Sequence, residues 1–490
     1  MSSSVPVFRA ALDALPSLEV KAWREDVLRR LGAGERLITL YGRRSGDDAR
    51  LTAVFSDAAG ALQVTRTVAE VHAGYHALTA DVPALHCFER ELHEQTGLRL
   101  AGHPWLKPVR YEGHEQSAMN AYPFYRLEGK EVHEVAVGPI HAGVIEPGSF
   151  RFQCHGEQVH HLEIHLGYQH RGVEARLLEG DPRRLAPLVE TIAGDTSVGH
   201  TWAYAAALES LAGCELEPDV ELARAAALEL ERVAMHLAGL SGLTADVGFL
   251  QGATTYGRLR TTAINTTMRL CGSRFGRGAL RPGGIGLRLP TELVDEVRAN
   301  VTLLQRDVAL INERTLASRT VQHRLRGTGT LTAAQARELG LVGLAARASG
   351  VALDARQGRT GGAFALEPLA PGVRTEGDCW ARACQRIEEL DASLAWLQRV
   401  LARSPKWEAQ RVPVGPLAAS QLAVAVVEGW RGEVVHCLET DAEGRLAHYK
   451  VQDPSLRNWL GLAVAVRGNE ISDFPICNKS FDLSYCGNDL

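Results

Sequence analysis

The sequence predicts an α+β chain: a small N-terminal α/β domain, then a large helical-bundle domain flanked by β-structure. Three observations carry this. At 490 residues the chain exceeds one ordinary core, so two or more domains are expected. Strand-type segments at 35–42 and 51–55 precede a helix-type segment at 84–97. From about 185 to 325 apolar residues recur at helical spacing, and β-type patterning brackets that block at 132–168 and 410–490.

Composition narrows the class. With 45% hydrophobic and 23% charged residues the chain is of globular type. A net charge of -5 supplies no bulk basic field for nucleic acid. No run of about 18 apolar residues exists, so no direct membrane span is expected and membrane association must go through partners. Nine cysteines lie at 87, 154, 214, 271, 379, 384, 437, 477 and 486 without a Cys-x-x-Cys pair. Met1-Ser-Ser-Ser-Val-Pro6 lacks the basic start and apolar core of a secretory leader, so a reducing cytoplasm is expected.

Residues 1–115 form the first expected domain, 116–135 a linker and 136–490 the second domain. The 84–97 helix should stop at Gly97, and its Glu89-Arg90-Glu91 cluster reads as a solvated charged face. Residues 150–154 and 157–168 read as a hairpin. Five histidines cluster there, at 155, 160, 161, 165 and 170, which invites a metal site. Period-two alternation favours a half-buried strand instead: Leu162, Ile164, Leu166 and Tyr168 on one face, His161, Glu163 and His165 on a polar outer face.

The helical block should hold helices at 222–237, 254–272 and 290–324, the third roughly 50 Å long if continuous. The Gly-rich loop 281–286 between them is weak evidence for an anion site. A short helix capped by Thr332, a loop at 350–376, a helix at 380–403 and alternating strand and turn over 410–490 complete the chain.

One stretch stands apart. Leu188 to His200 begins and continues like a helix, yet its centre is Ala193, Gly194, Asp195, Thr196, Ser197 and Gly199. Two glycines cost about 1 kcal/mol each relative to alanine in a helix. The stretch is either a helix crossing or break, or the wall of a buried site. No Walker loop, dinucleotide fingerprint, serine elbow or zinc signature is present to name a reaction.

Several segments, in order, resemble a known family. Phe88 to Leu98 followed by Gly102-His-Pro-Trp-Leu106 resembles the 30-kDa-type subunit of complex I. Gly138-Pro-Ile-His141 through Gly148, His170-Arg-Gly-Val-Glu174, Asp246-Val-Gly248, Arg281-Pro-Gly-Gly-Ile285, Ala346-Arg-Ala-Ser-Gly350 with Asp354, and Ser480-Phe-Asp-Leu483 resemble the 49-kDa-type subunit and the large subunits of membrane-bound nickel-iron hydrogenases. The fused architecture is most similar to the formate hydrogenlyase and hydrogenase-4 type. The resemblance implies an iron-sulfur small subunit and antiporter-like membrane subunits as partners. It implies a peripheral position on the cytoplasmic side of the inner membrane, and Arg171 close to the partner's iron-sulfur cluster, where a fixed positive charge favours the reduced form.

The departures are specific. The resemblance places the four metal-binding cysteines of the hydrogenases on Ala193, Thr196, Ser455 and Asn458, so the nickel-iron centre is expected to be absent. The histidine and tyrosine that meet the quinone head group in complex I fall on Ile145 and Gly194. The expectation is therefore an oxidoreductase-complex subunit with a remodelled site, lined by His141, Glu146, Asp195, Thr196, His200 and Asp246. It would take electrons from the iron-sulfur partner, pass them to a quinone or another small acceptor, and couple this to ion translocation. Hydrogenase activity itself is not expected. The competing expectation is an inactive scaffold retained for assembly or conformational coupling.

Overall fold

The computed structural model describes residues 4–113, 119, 121–141, 145–357, 362–369, 372–403, 405, 407–408 and 411–490. The N-terminal sheet runs Ser17–Leu18, Leu62–Glu70, Asp48–Ser56, Arg36–Ser45, antiparallel except for its two-residue edge. Helices Val20–Gly32 and His86–Thr96 pack on it around Trp23, Phe55, Phe88 and Leu92. The second helix stops at Gly97, whose left-handed φ of 73° suits glycine.

The Glu89-Arg90-Glu91 cluster is not a solvated face. All three side chains are buried, Glu89 completely. Glu89 accepts hydrogen bonds from Tyr75 Oη (2.7 Å), Leu78 N (2.8 Å), Thr79 N (2.8 Å) and Thr79 Oγ1 (2.6 Å). The turn before the helix folds back over it, a covering that helix periodicity does not encode.

The strand Val7–Ala11 belongs to a different sheet. It pairs antiparallel with Gln421–Glu428, Val7 opposite Ala425 and Ala11 opposite Gln421. That sheet continues through Glu433–Thr440 to Leu446–Gln452. Further ties join the two parts of the chain. Arg36 makes a bidentate pair with Glu433 (2.7 and 2.6 Å), and Lys450 lies between Glu91 (2.5 Å) and Glu174 (3.0 Å).

The large domain is built on helices Ser197–Ala212, Pro218–Asp246, Leu250–Cys271, Thr291–Ala317 and Cys379–Ala402, which share one core with the strands Gln421–Glu428 and Glu433–Thr440. Ser197–Ala212 is the central element. It lies between that sheet and the bundle, and its run of alanines lets both sides approach. The expected 290–324 helix breaks at Ser318, whose hydroxyl accepts from Val321 N (3.4 Å) and starts a new helix, Arg319–Leu325. Loop 281–286 is a tight hairpin whose Gly283 N donates to Glu209 (2.7 Å), so an internal carboxylate takes the place of an outside anion.

Two further expectations change. Residues beyond 452 are helical, not strand and turn: Pro454–Ala465, Phe474–Phe481 and Tyr485–Asp489. The hairpin Ser149–His155 with Gln158–His165 forms as expected, with Val132–Val137 as its third strand. Its outer face is not solvated, however: Glu163 and His165 are buried. Lys107, arriving from the N-terminal domain, donates to Glu163 (2.6 Å), and Tyr125 N donates to its other oxygen (2.9 Å). Residues 142–144 of the His141 motif, 114–118 and 120 near the linker, and 358–361 and 370–371 of the 350–376 loop lie outside the described residues. Among the described residues no helix is long and apolar enough to cross a membrane.

Candidate functional site

The small-residue stretch is a break between two helices. A short helix, Ala186–Val189, ends before it, and the central helix begins at Ser197. Thr196 stands at the N-cap without a side-chain cap bond. Glu231, from the neighbouring Pro218–Asp246 helix, serves instead, accepting from Val198 N (2.7 Å) and Gly199 N (3.2 Å). A side chain at Gly199 would crowd Thr196 Cγ2 at 3.2 Å. Glu231 is buried, and burial pushes its carboxyl up to about 8 against those two amide bonds, with the charge of Asp195 adding to the rise.

Asp195 and Thr196 meet Arg431. Its guanidinium grips Asp195 bidentately (2.7 and 2.6 Å), donates to Thr196 Oγ1 (3.3 Å) and to the Asp482 carbonyl, and stacks on Trp430 with its centre 3.8 Å from the ring. Trp430 Nε1 in turn donates to the Asp195 carbonyl (2.9 Å). Behind Arg431 the backbone approaches Gly343 closely: a Cβ there would lie 2.0 Å from the Arg431 carbonyl oxygen, at a φ of +62°.

His200, three residues into the central helix, heads a buried polar chain. Its Nε2 faces Asp453 Oδ2 (3.1 Å) and its Nδ1 faces His436 Nε2 (3.1 Å). His436 Nδ1 reaches Tyr449 Oη (2.7 Å). Burial, then the neighbouring His200, holds His436 well below the ordinary histidine range, so it is neutral. Burial alone would raise Asp453, but the His200 hydrogen bond and charge, with Arg431, overcome it and leave the carboxyl below its usual range. The other Asp453 oxygen accepts from Ser455 N (2.8 Å) and caps the helix that follows.

The remaining expected residues are placed as follows. His141 Nε2 lies 2.9 Å from the Gly148 carbonyl, half-buried. Glu146 is half-buried beside Cys486, whose thiol is pushed up to about 12 by burial and then by Glu146. Asp246 stands exposed at the end of its helix, its carboxyl raised by partial burial while Lys479 opposes the rise. Arg171 clamps the approach to the break, donating to the carbonyls of Thr191 (2.6 Å), Ile192 (3.1 Å) and Cys486 (3.0 Å). Ala193 is buried. Ser455 Oγ accepts from Ser484 N (2.9 Å), and the Asn458 amide pairs with both backbone groups of Val342 (3.1 and 3.2 Å).

The fold thus joins Asp195 and Thr196 to Arg431, and His200 to Asp453. None of the hydrogen bonds among the described residues ties His141, Glu146 or Asp246 to the Asp195–Arg431 pair. Sequence reasoning missed Arg431, Glu231, His436 and Tyr449. Arg431 lies 236 residues from Asp195, and no local pattern announces such a partner. Among the described residues no three His, Cys, Asp or Glu side chains gather as a metal site.

Residues 246–417 match the family model of the respiratory-chain NADH dehydrogenase 49 Kd subunit. The carbon monoxide-induced hydrogenase of Rhodospirillum rubrum is 30% identical, over 71% of this chain and 97% of its own length. Formate hydrogenlyase subunit 5 of Escherichia coli is 27% identical, over 85% of this chain and 77% of its own. A chain in the structure of the membrane-bound sulfane sulfur reductase, an archaeal respiratory membrane complex, superposes with a TM-score of 0.68 at 23% identity, over 75% of this chain and all of that one, and so shares the fold. The chain belongs to the family of the respiratory-chain NADH dehydrogenase 49-kDa subunit and its hydrogenase relatives, the subunits of oxidoreductase complexes.

Proposed function

We propose that this chain is the core subunit of a membrane-associated oxidoreductase complex in which an arginine–carboxylate site stands where the hydrogenases carry nickel and iron. One observation carries the reading. The four thiolate positions hold Ala193, Thr196, Ser455 and Asn458, and every polar atom among them is bonded within the protein: Thr196 to Asp195 and Arg431, Ser455 to Ser484, Asn458 to Val342. A methyl, two hydroxyls and an amide do not suit a metal centre that needs soft thiolates.

The groups around the site suit proton handling. Glu231 holds a proton at neutral pH beside Asp195, and Asp453, His200, His436 and Tyr449 form a continuous buried hydrogen-bonded chain. In this reading electrons come from an iron-sulfur cluster in a small partner subunit to a quinone-class acceptor, and antiporter-like membrane subunits use the coupled protonation to move ions. The chain sits peripherally on the cytoplasmic face of the inner membrane. Ser455 and Asn458, turned into structural hydrogen bonds, support the second reading, a scaffold without chemistry of its own.

The test is metal analysis of the purified complex with hydrogen-uptake and quinone-reductase assays. We expect nickel far below stoichiometric, no hydrogen uptake and quinone reduction that Glu231→Gln slows in an assembled complex. Stoichiometric nickel with hydrogen uptake overturns the reading. Assembly with no acceptor reduction by the native complex selects the scaffold.

A further inference from the structure

A cavity of about 300 Å³ opens where the N-terminal domain meets the large one, away from the Asp195–Arg431 site. Its lining comes from the His86–Thr96 helix, the loop around Trp105, the Gln158–His165 strand and the Pro454–Ala465 helix. The size is that of a small-molecule pocket, about 300 Å³ or more. Trp105, Tyr125 and Trp459 give it aromatic surface, and Leu460 and Ala463 an apolar floor.

Three groups in it lack what burial normally requires. His165 is 2% exposed, and among the described residues neither ring nitrogen has a hydrogen-bond partner. Trp459 is 5% exposed, and its indole N–H has none among the described residues. Arg90 is 8% exposed; its guanidinium donates to the carbonyls of Lys107 (2.5 Å) and Pro108 (3.1 Å) and lies 4.1 Å from the Trp105 ring centre. Yet among the described residues no carboxylate comes within 4.0 Å of it. The nearby Lys107 is held by Glu163 at 2.6 Å, and Glu94, the carboxylate whose charge acts on Arg90, is engaged by the backbone amides of Val109, Arg110 and Glu112 rather than by the guanidinium. Arg467, exposed at the rim, adds a second cation, its guanidinium 3.5 Å from His161 Nδ1. Buried charges in proteins are paired, and buried N–H groups bonded, because leaving them otherwise is costly. An aromatic-walled cavity with a buried guanidinium that no carboxylate among the described residues contacts, and an indole donor unpaired among them, has the chemistry of a receptor for a flat anion.

We propose that this cavity binds a small organic anion with an aromatic body, of the aromatic carboxylate class: the carboxylate pairs with Arg90, the ring lies among Trp105, Tyr125 and Trp459, and Trp459 Nε1 or His165 bonds a polar edge.

The experiment titrates the full-length protein with naphthoate and, separately, with naphthylmethanol, its neutral isostere. Calorimetry and quenching of tryptophan fluorescence are the readouts. Single-site naphthoate binding is expected, weakened about tenfold or more for the alcohol and in Arg90→Gln. Ala463→Trp, which fills the cavity without touching the charge, should abolish binding while leaving the thermal melt intact. Because Arg90 also holds the 107–108 carbonyls, the isostere comparison on the native protein stands independently of whether Arg90→Gln folds. Equal affinity for acid and alcohol, no saturable naphthoate binding, or unchanged binding in folded Ala463→Trp overturns the proposal.

Discussion

Glu231 is protonated at neutral pH because the cost of burying a carboxylate exceeds what two backbone amides return. Its native carboxyl sits at about 8 against an ordinary 4.5, so the folded state binds the extra proton. The contribution to stability is complete below 4.5, shrinks as pH rises, and is gone above 8. Thermal unfolding from about pH 5 to about pH 9 should therefore show the native protein losing stability with a slope that Glu231→Gln flattens. Parallel curves would place that proton elsewhere. Arg431 allows a second prediction. Its guanidinium side chain is 5% exposed, whereas that of Asp195 is 35% exposed. Stripping a partner from a fully buried pair costs about 3–5 kcal/mol, and water at a partly open carboxylate reduces this. Asp195→Asn should cost on the order of 2 kcal/mol in urea unfolding. A loss as small as that of a surface pair would mean that Arg431 is held by Thr196, Asp482 and Trp430 alone.

Among elements, the helix Pro454–Ala465 shows one side chain serving two structures. Asp453 caps it through Ser455 N and anchors His200 with its other oxygen. Asp453→Ser keeps a capping hydroxyl and removes the His200 partner, while Asp453→Ala removes both. The difference between the two variants in chemical denaturation should be about 1 kcal/mol, the usual worth of a cap. Equal losses would show that the His200 contact dominates. The start of this helix carries its own signal, Asp453-Pro454, a cap followed by proline at the first turn, which the strand-and-turn expectation for 410–490 passed over. Other helix ends were read from the sequence: Gly97 stops its helix, and Thr332 caps its own, where the structure adds Gln335 to make a capping box. Coverage was not readable. Glu89 and Glu163 look like solvated charges because their partners, Thr79 and Lys107, sit on other segments, and periodicity reports only which residues share a face. The same limit hid Arg431. The small-residue break was visible in the sequence, but its capping carboxylate and its guanidinium come from 33 and 236 residues away.

At the scale of the whole molecule, the chain's beginning and its far end depend on each other. Val7–Ala11 forms one outer strand of the four-stranded sheet, His436 lies on the inner strand Glu433–Thr440 and Tyr449 on the opposite outer strand Leu446–Gln452, so the N-terminus closes one side of the layer behind the His200 chain. Phe8 and Ala10 pack beside Leu422, Val424 and Cys437, and Ile38 and Val54 of the N-terminal sheet meet the same cluster. Removing residues 1–12 would expose the backbone edge of Gln421–Glu428, a run of Leu422, Val424 and Val426 that is buried in the intact protein. A long apolar strand edge pairs readily with other chains. The truncated protein should therefore unfold at lower temperature and associate in a concentration-dependent way, measured by light scattering alongside the melt. A peptide spanning residues 5–12, added in excess, should suppress the scattering, because it restores the Val7–Ala11 ladder together with the flanking bonds of Val426 N to the Pro6 carbonyl and of Leu12 N to the Ser420 carbonyl. A truncated protein that stays monodisperse with an unchanged melt would mean that the two domains are held by Arg36–Glu433 and Lys450 with Glu91 and Glu174, and that the shared strand is incidental to the packing behind His200.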